Sequence, residues 1–285
     1  MKKRLLYLCS FVPYLQLSES GFDMISIYDI EQKNHYTNRK LSSSLKLANT
    51  GLSGNPCCFI KYCKKIDYSE YDGIIFTNCC NSVQRLYDYV KYKYQNIFTF
   101  LLEIPRLEKK TWNMNNLMRE ITHHFQIPIS PIQEYPTIDI QEMHTNEILV
   151  ISSALNKKYV EELYNIFSEY PLMIETCWAT PRGDLTLQGV DEISCPRMMN
   201  YYSYIHNKIR RAKAVIYITI QKCDYIMFSY PRIKQICELY NRRCLLVEEE
   251  YTGTISENSR IRYDAFKECL EISSRAVRNE REFDE

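Results

Sequence analysis

Twelve cysteines stand in a chain of 285 residues, and their spacing is uneven. Five of them, Cys57, Cys58, Cys63, Cys79 and Cys80, fall in the two stretches PCCFIKYC and TNCC. Thiolates are soft anionic ligands, so this set points first to a metal centre. The spacing is CC-x4-C and then CC, without the CxxC knuckles of zinc sites or of thioredoxin-type dithiols. A nucleophilic cysteine needs a paired histidine. None of the five histidines, His35, His123, His124, His144 and His206, is near a doublet in sequence. Thiolates spread along a chain fit an iron–sulfur cluster better.

The elements that must position them follow from the apolar pattern. Short apolar runs alternate with amphipathic stretches: RLLYLC, MISIYDI, DGIIFTN and NIFTFLLEIP read as strands in the first half. VPYLQLSESG, NSVQRLYDYVKYKY and the residues from Glu108 to Phe125 read as helices, and Glu31 to Gly54 as loop with one short helix near Ser44. IPISPIQEYPTIDI, with its three prolines, reads as a linker. Beyond it EILVISSAL, LMIETCW, AVIYITI and RCLLVEE read as strands. KKYVEELYNIFSEY, Met198 to Ala212, PRIKQICELYNRR and Ser259 to Arg278 read as helices. The expected fold is α/β, with two Rossmann-like or flavodoxin-like lobes over 1–140 and 141–285, each a parallel sheet flanked by helices.

On that map Cys9 ends the first strand, Cys79 and Cys80 follow the third, and Cys223 follows AVIYITI in the second lobe. All lie at carboxyl ends of strands, the edge where open parallel sheets bind ligands. Cys57 and Cys58 lie in the loop between strands two and three. Six thiols from both lobes are thus expected around a cleft between them. Cys237, Cys244 and Cys269 read instead as core residues, while Cys177 and Cys195 fit either role.

Composition sets outer limits. A hydrophobic fraction of 45% with only 7 Gly and 10 Pro indicates an ordered, well-cored chain. A net charge of +1 gives no field for nucleic acid or an anionic surface. Leu5 to Cys9 reads as a buried strand, since the run is short, Pro13 follows and no small-residue cleavage site appears. No apolar run approaches the roughly 20 residues of a membrane span. The expectation is a cytoplasmic protein whose thiols stay reduced unless metal holds them.

Several segments together resemble one family, the 2-hydroxyacyl-CoA dehydratases, which include benzoyl-CoA reductase subunits and double-cubane cluster reductases. CSFVPYL is similar to the family's C-x-x-x-P turn, PCCFIKYC to its CPxxKS segment, and TNCCNSVQRLYDY to its NSCDxxRRLYD segment. FLLEIPR is similar to LDLPR, QKCDYIMFSYPRIKQ to FCDPxxFExPxLK, LLVEEEY to LxxExD, and RIRYDAFKE to TRxEAF. The matches cover most of the chain in the family's order. The sequence departs from the pattern at Tyr14, where the family has Glu, and at Glu257-Asn258, where it has Gly-Gln.

The resemblance implies that Cys9, Cys57, Cys80 and Cys223 are cluster ligands, enough for one 4Fe-4S cubane. Cys58 and Cys79 bring the set to six, the number that a double-cubane cluster (8Fe-9S) requires, with Cys63 as a spare ligand. It implies an ATP-hydrolysing iron–sulfur activator protein as partner, since no Walker-type glycine loop occurs here. It also implies a homodimer or a pair with a sister subunit. The activity implied is radical dehydration of a 2-hydroxyacyl-CoA, or ATP-dependent reduction of a small molecule; the alternative is a non-catalytic iron–sulfur electron carrier or assembly subunit. Arg260, Arg262 and Glu250 are candidates for contact with substrate or activator. His123-His124 reads as a helix C-terminal pair that complements the dipole.

Overall fold

The computed structural model describes residues 2–9, 11–30, 56–103, 114–129, 146–176 and 201–283, with side chains described as far as residue 272. The described residues form two compact α/β units, one carrying the elements up to the fourth helix and the other the rest. Most of the 127–140 linker, together with Cys177 and Cys195, lies outside the described residues.

The first unit is a four-stranded parallel sheet in the order β2-β1-β3-β4. Its strands are β1 (Arg4–Tyr7), β2 (Asp23–Ser26), β3 (Gly73–Thr77) and β4 (Phe98–Leu102). Its helices are α1 (Tyr14–Glu19), α2 (Cys58–Cys63), α3 (Asn81–Lys93) and α4 (Met114–Phe125). Every residue of β3 is buried, which is why GIIFT is a continuous apolar run rather than an alternation. One face of the sheet gathers Leu5, Ile75, Phe98 and Leu102 against Leu17 of α1 and Leu117 and Ile121 of α4. On α3 the buried residues Val83, Leu86 and Val90 recur at helical spacing, and Tyr87 meets Phe76 of β3 edge to face.

Gly73 opens β3 because both its neighbours are large. It pairs with Leu5 on β1 and Phe98 on β4. A Cβ there would lie 2.8 Å from Leu5 Cδ2 and 3.0 Å from Phe98 Cβ, and the latter is fixed to the backbone. Gly73→Ala is therefore expected to destabilise the chain by about 1–3 kcal/mol, the usual effect of overpacking a closed core. A urea midpoint equal to that of the parent would show that the first sheet can spread at this position.

The second unit repeats the architecture, with a parallel sheet in the order β6-β5-β7-β8. Its strands are β5 (Ile148–Ser152), β6 (Leu172–Glu175), β7 (Ala214–Ile220) and β8 (Arg243–Glu249). Its helices are α5 (Lys157–Ile166), α6 (Tyr201–Arg211), α7 (Asp224–Leu239) and α8 (Glu257–Phe283). Leu149, Ile151, Val215 and Tyr217 on one face pack against Ile205 and Ile209 of α6 and Ile233 and Cys237 of α7. Elsewhere in the unit, a buried polar link ties α5, β8 and α8. Tyr159 Oη donates to Glu249 Oε1 at 3.1 Å and lies 2.7 Å from Tyr263 Oη, and burial pushes both phenols above their ordinary range. A second buried charge, Lys208 on α6, is paired with Glu175 at the end of β6.

The two α/β sheets with flanking helices agree with the expected fold class. Four local expectations are corrected. Strand two ends at Ser26, and Ile27–Asp29 form a 3-10 turn capped by the Ser26 hydroxyl. The segment after Cys57, expected as loop, is the helix α2. α7 begins at Asp224 rather than at Pro231, which sits inside it. Cys269, expected in the core, is exposed on α8. Among the described residues no helix is long and apolar enough to cross a membrane.

Candidate metal centre

The chain order around each sheet explains where the cysteines fall. From β1 the chain runs to β2 on one side and then crosses to β3 on the other, so the switch point of the first sheet lies between β1 and β3. Crevices open at such points, outside the carboxyl ends of the strands. Tyr7 pairs with Ile75 at the end of β1, and the chain then turns into Leu8 and Cys9. β3 runs on to Thr77 and then to Cys79 and Cys80. Cys9 and the second doublet therefore leave the two strands that flank the switch point. Cys9 and Cys79 are buried, and Cys80 is half-buried at the N-cap of α3. No side-chain hydrogen bond caps α3, so the positive end of its dipole is turned toward the Cys80 position, where negative charge is favoured.

The first doublet enters through α2. Cys57 is its N-cap residue, Cys58 its first residue and Cys63 its last. Cys57 and Cys63 are buried, while Cys58 is half-buried. Tyr68 Oη donates to the Cys63 carbonyl at 2.7 Å and fixes the end of the helix. Burial holds the Cys63 thiol well above its ordinary range, and nearby Cys57 and Cys79 push it further the same way. A metal cation reverses such an elevation, because it favours the thiolate form. Thr77 Oγ1 donates to Cys79 Sγ at 3.2 Å, a contact of the kind that tunes a metal-bound sulfur.

The second unit carries a single candidate at the equivalent place. Its chain runs from β5 to β6 and then crosses to β7, so its switch point lies between β5 and β7. After β7 the Cys223 amide bonds to the Ile220 carbonyl at 2.9 Å, closing a turn through Lys222 at φ 62°. Positive φ is uncommon for a residue with a Cβ; here it sets Cys223 as the N-cap of α7. Its sulfur lies 3.7 Å from Ser153 Oγ, which follows β5. Thr77 and Ser153 thus serve equivalent thiols, and sequence reasoning singled out neither. The available signal was a hydroxyl at the carboxyl end of an otherwise apolar strand.

The remaining candidates lie along the same edge of the second sheet. Glu250 is exposed directly after β8, and Arg260 and Arg262 are exposed in the first turns of α8. Arg260 is 3.6 Å from Glu162 of α5, so its guanidinium has an intrachain partner. The histidine pair ends α4, with His124 packed against Phe98 at 5.1 Å between ring centroids.

In donor type and position the cysteines of the first unit fit a thiolate-ligated group. They are soft donors and mostly buried; Cys9, Cys79 and Cys80 follow strands of the sheet, and Cys57, Cys58 and Cys63 belong to α2 and its N-cap. Among the described residues no three His, Cys, Asp or Glu side chains close around a single point. The first unit brings Cys57 and Cys79 each within electrostatic reach of Cys63; Cys223 belongs to the other unit. No protein-family model matches the chain, and no curated protein matches it significantly.

Proposed function

We propose that the chain is an iron–sulfur protein of a low-potential, ATP-activator-dependent system, resembling the 2-hydroxyacyl-CoA dehydratases and double-cubane reductases. Cys9, Cys57, Cys80 and Cys223 would hold a 4Fe-4S cluster. Cys58 and Cys79 would extend the set to the six ligands of a double cubane, with Cys63 in reserve. When bound, such a cluster supplies one strongly reducing electron, for radical dehydration of a 2-hydroxyacyl-CoA or for reduction of a small molecule. The cleft between the two units, the ATP-hydrolysing activator, a dimeric assembly and a cytoplasmic setting belong to the same proposal.

The observation in its favour is topological. In both sheets a strand beside the switch point leads into cysteine: β1 into Cys9 and β3 into Cys79-Cys80 in one, and β7 into Cys223 in the other, where β5 leads into Ser153. The chain's own contribution is to hold and shield. Cys9 is buried together with its neighbours Leu8, Phe11 and Val12, which shields that segment from water. Thr77 and Ser153 are placed to donate hydrogen bonds to sulfur, which stabilises thiolate over thiol. The α3 N-terminus favours added negative charge at Cys80.

Low-temperature electron paramagnetic resonance on anaerobically purified, dithionite-reduced protein tests the proposal. A cluster signal is expected, weakened when Ser153→Ala removes the hydroxyl near Cys223. Discharge of that signal by a 2-hydroxyacyl-CoA would mark an enzyme. Discharge only by a protein partner would mark an electron carrier. Absence of any signal would contradict the proposal.

A further inference from the structure

Cys237 and Cys244 lie outside the set above, and the structure brings their thiols together. Cys237 is near the end of α7 and wholly buried, whereas Cys244 is the second residue of β8 and half-buried. The corner between them is tight. Asn241 takes a left-handed conformation at φ 50°, and the Arg242 amide returns to the Cys237 carbonyl at 2.7 Å. The chain thus doubles back, and Cys244 packs onto the core cluster that contains Cys237. The Cys237 thiol hydrogen-bonds to the Cys244 sulfur.

We propose that Cys237 and Cys244 form a thiol–disulfide redox pair, with Cys244 the attacking sulfur, Cys237 the resolving thiol and a hydroperoxide the oxidant. The asymmetry of the site assigns the roles. Cys244 is the member that solvent reaches. The hydrogen bond from Cys237 favours its thiolate, helped by the Lys234 ammonium, while the same hydrogen bond and burial keep Cys237 protonated. A sulfur that is reachable, thiolate-prone and beside a second thiol is the arrangement of oxidation-sensitive cysteines. In the first step the Cys244 thiolate attacks the peroxide, breaks the O–O bond, becomes a sulfenic acid and releases hydroxide. In the second, the Cys237 sulfur attacks the Cys244 sulfur and expels the oxygen; the thiol proton and the hydroxide are balanced as water. Two thiols are oxidised to one disulfide, and one hydrogen peroxide is reduced to two waters. A dithiol reductant reverses the change. The pair lies wholly within the second unit and does not depend on a cluster being bound.

The test uses the full chain. After treatment with hydrogen peroxide the remaining thiols are alkylated and the protein is digested with trypsin, which cuts after Lys234, Arg242, Arg243 and Arg260. The expected result is that Gln235–Arg242 and Cys244–Arg260 emerge joined by a disulfide, with loss of two alkylatable thiols per chain and full recovery in dithiothreitol. In Cys237→Ser the link is lost and Cys244 is trapped as a sulfenic acid by dimedone. The proposal is overturned if both cysteines remain alkylatable, or if Cys244 passes to sulfinic acid or pairs elsewhere while Cys237 stays reduced.

Discussion

Cys9→Ser and Cys80→Ser are each expected to leave less than about a tenth of the iron bound by the parent chain. The estimate is conservative, since losing an outer hydrogen-bond partner alone commonly weakens metal binding about 10–100-fold. Serine preserves size but replaces a soft thiolate with a hard, weakly acidic hydroxyl. Both sulfurs belong to strand ends beside the switch point of the first sheet, so the backbone should accept the change. Cys269→Ser is the control: this thiol is exposed on α8, and its loss should leave iron unchanged. Equal iron in all three variants would remove these cysteines from the metal site.

The largest stability effect is expected at Lys208. Its ammonium is buried against the Glu175 carboxylate, and Tyr204 Oη donates to the same Glu175 oxygen at 2.9 Å. The ammonium also lies 3.3 Å from Met173 Sδ and 4.7 Å from the centre of the Tyr204 ring. Lys208→Met leaves a buried carboxylate without its countercharge, which costs about 3–5 kcal/mol. Replacing both members, Lys208→Met with Glu175→Leu, should recover most of that loss, because desolvating a buried pair consumes much of its attraction. Urea midpoints of the single and double variants check this. A Lys208→Met chain as stable as the parent would mean that water already screens the pair.

Much of the fold was legible because buried parallel strands write themselves as apolar runs. Ile148-Leu149-Val150-Ile151 is buried at every position, and so is all of Ala214–Ile220. The alternation with amphipathic helices then gives parallel sheets with little further information. α2 was harder to see. It has six residues, starts from Cys57 without a side-chain cap, and has no polar N-cap residue to announce it. The start of α7 is hidden in the sequence because Pro231 resembles a start signal, although the helix already runs from Asp224, an acidic residue in its first turn.

At the candidate site, strand ends could be read from sequence, but partners across the fold could not. The placement of Cys9, Cys79-Cys80 and Cys223 just beyond strands follows from the apolar runs that precede them. The nearness of Cys63 to Cys57 and Cys79 needed α2. The Ser153–Cys223 contact joins residues on different strand ends, and no local pattern marks it. Cys237 and Cys244 read as ordinary core residues because each is apolar in context, and only the turn at Asn241 brings them together.

The most direct measurement is iron and acid-labile sulfide per chain on anaerobically purified protein. The account predicts both elements in near-equal amount, at about four irons for a single cubane or about eight for a double one. Zinc in their place, or no metal, would contradict it.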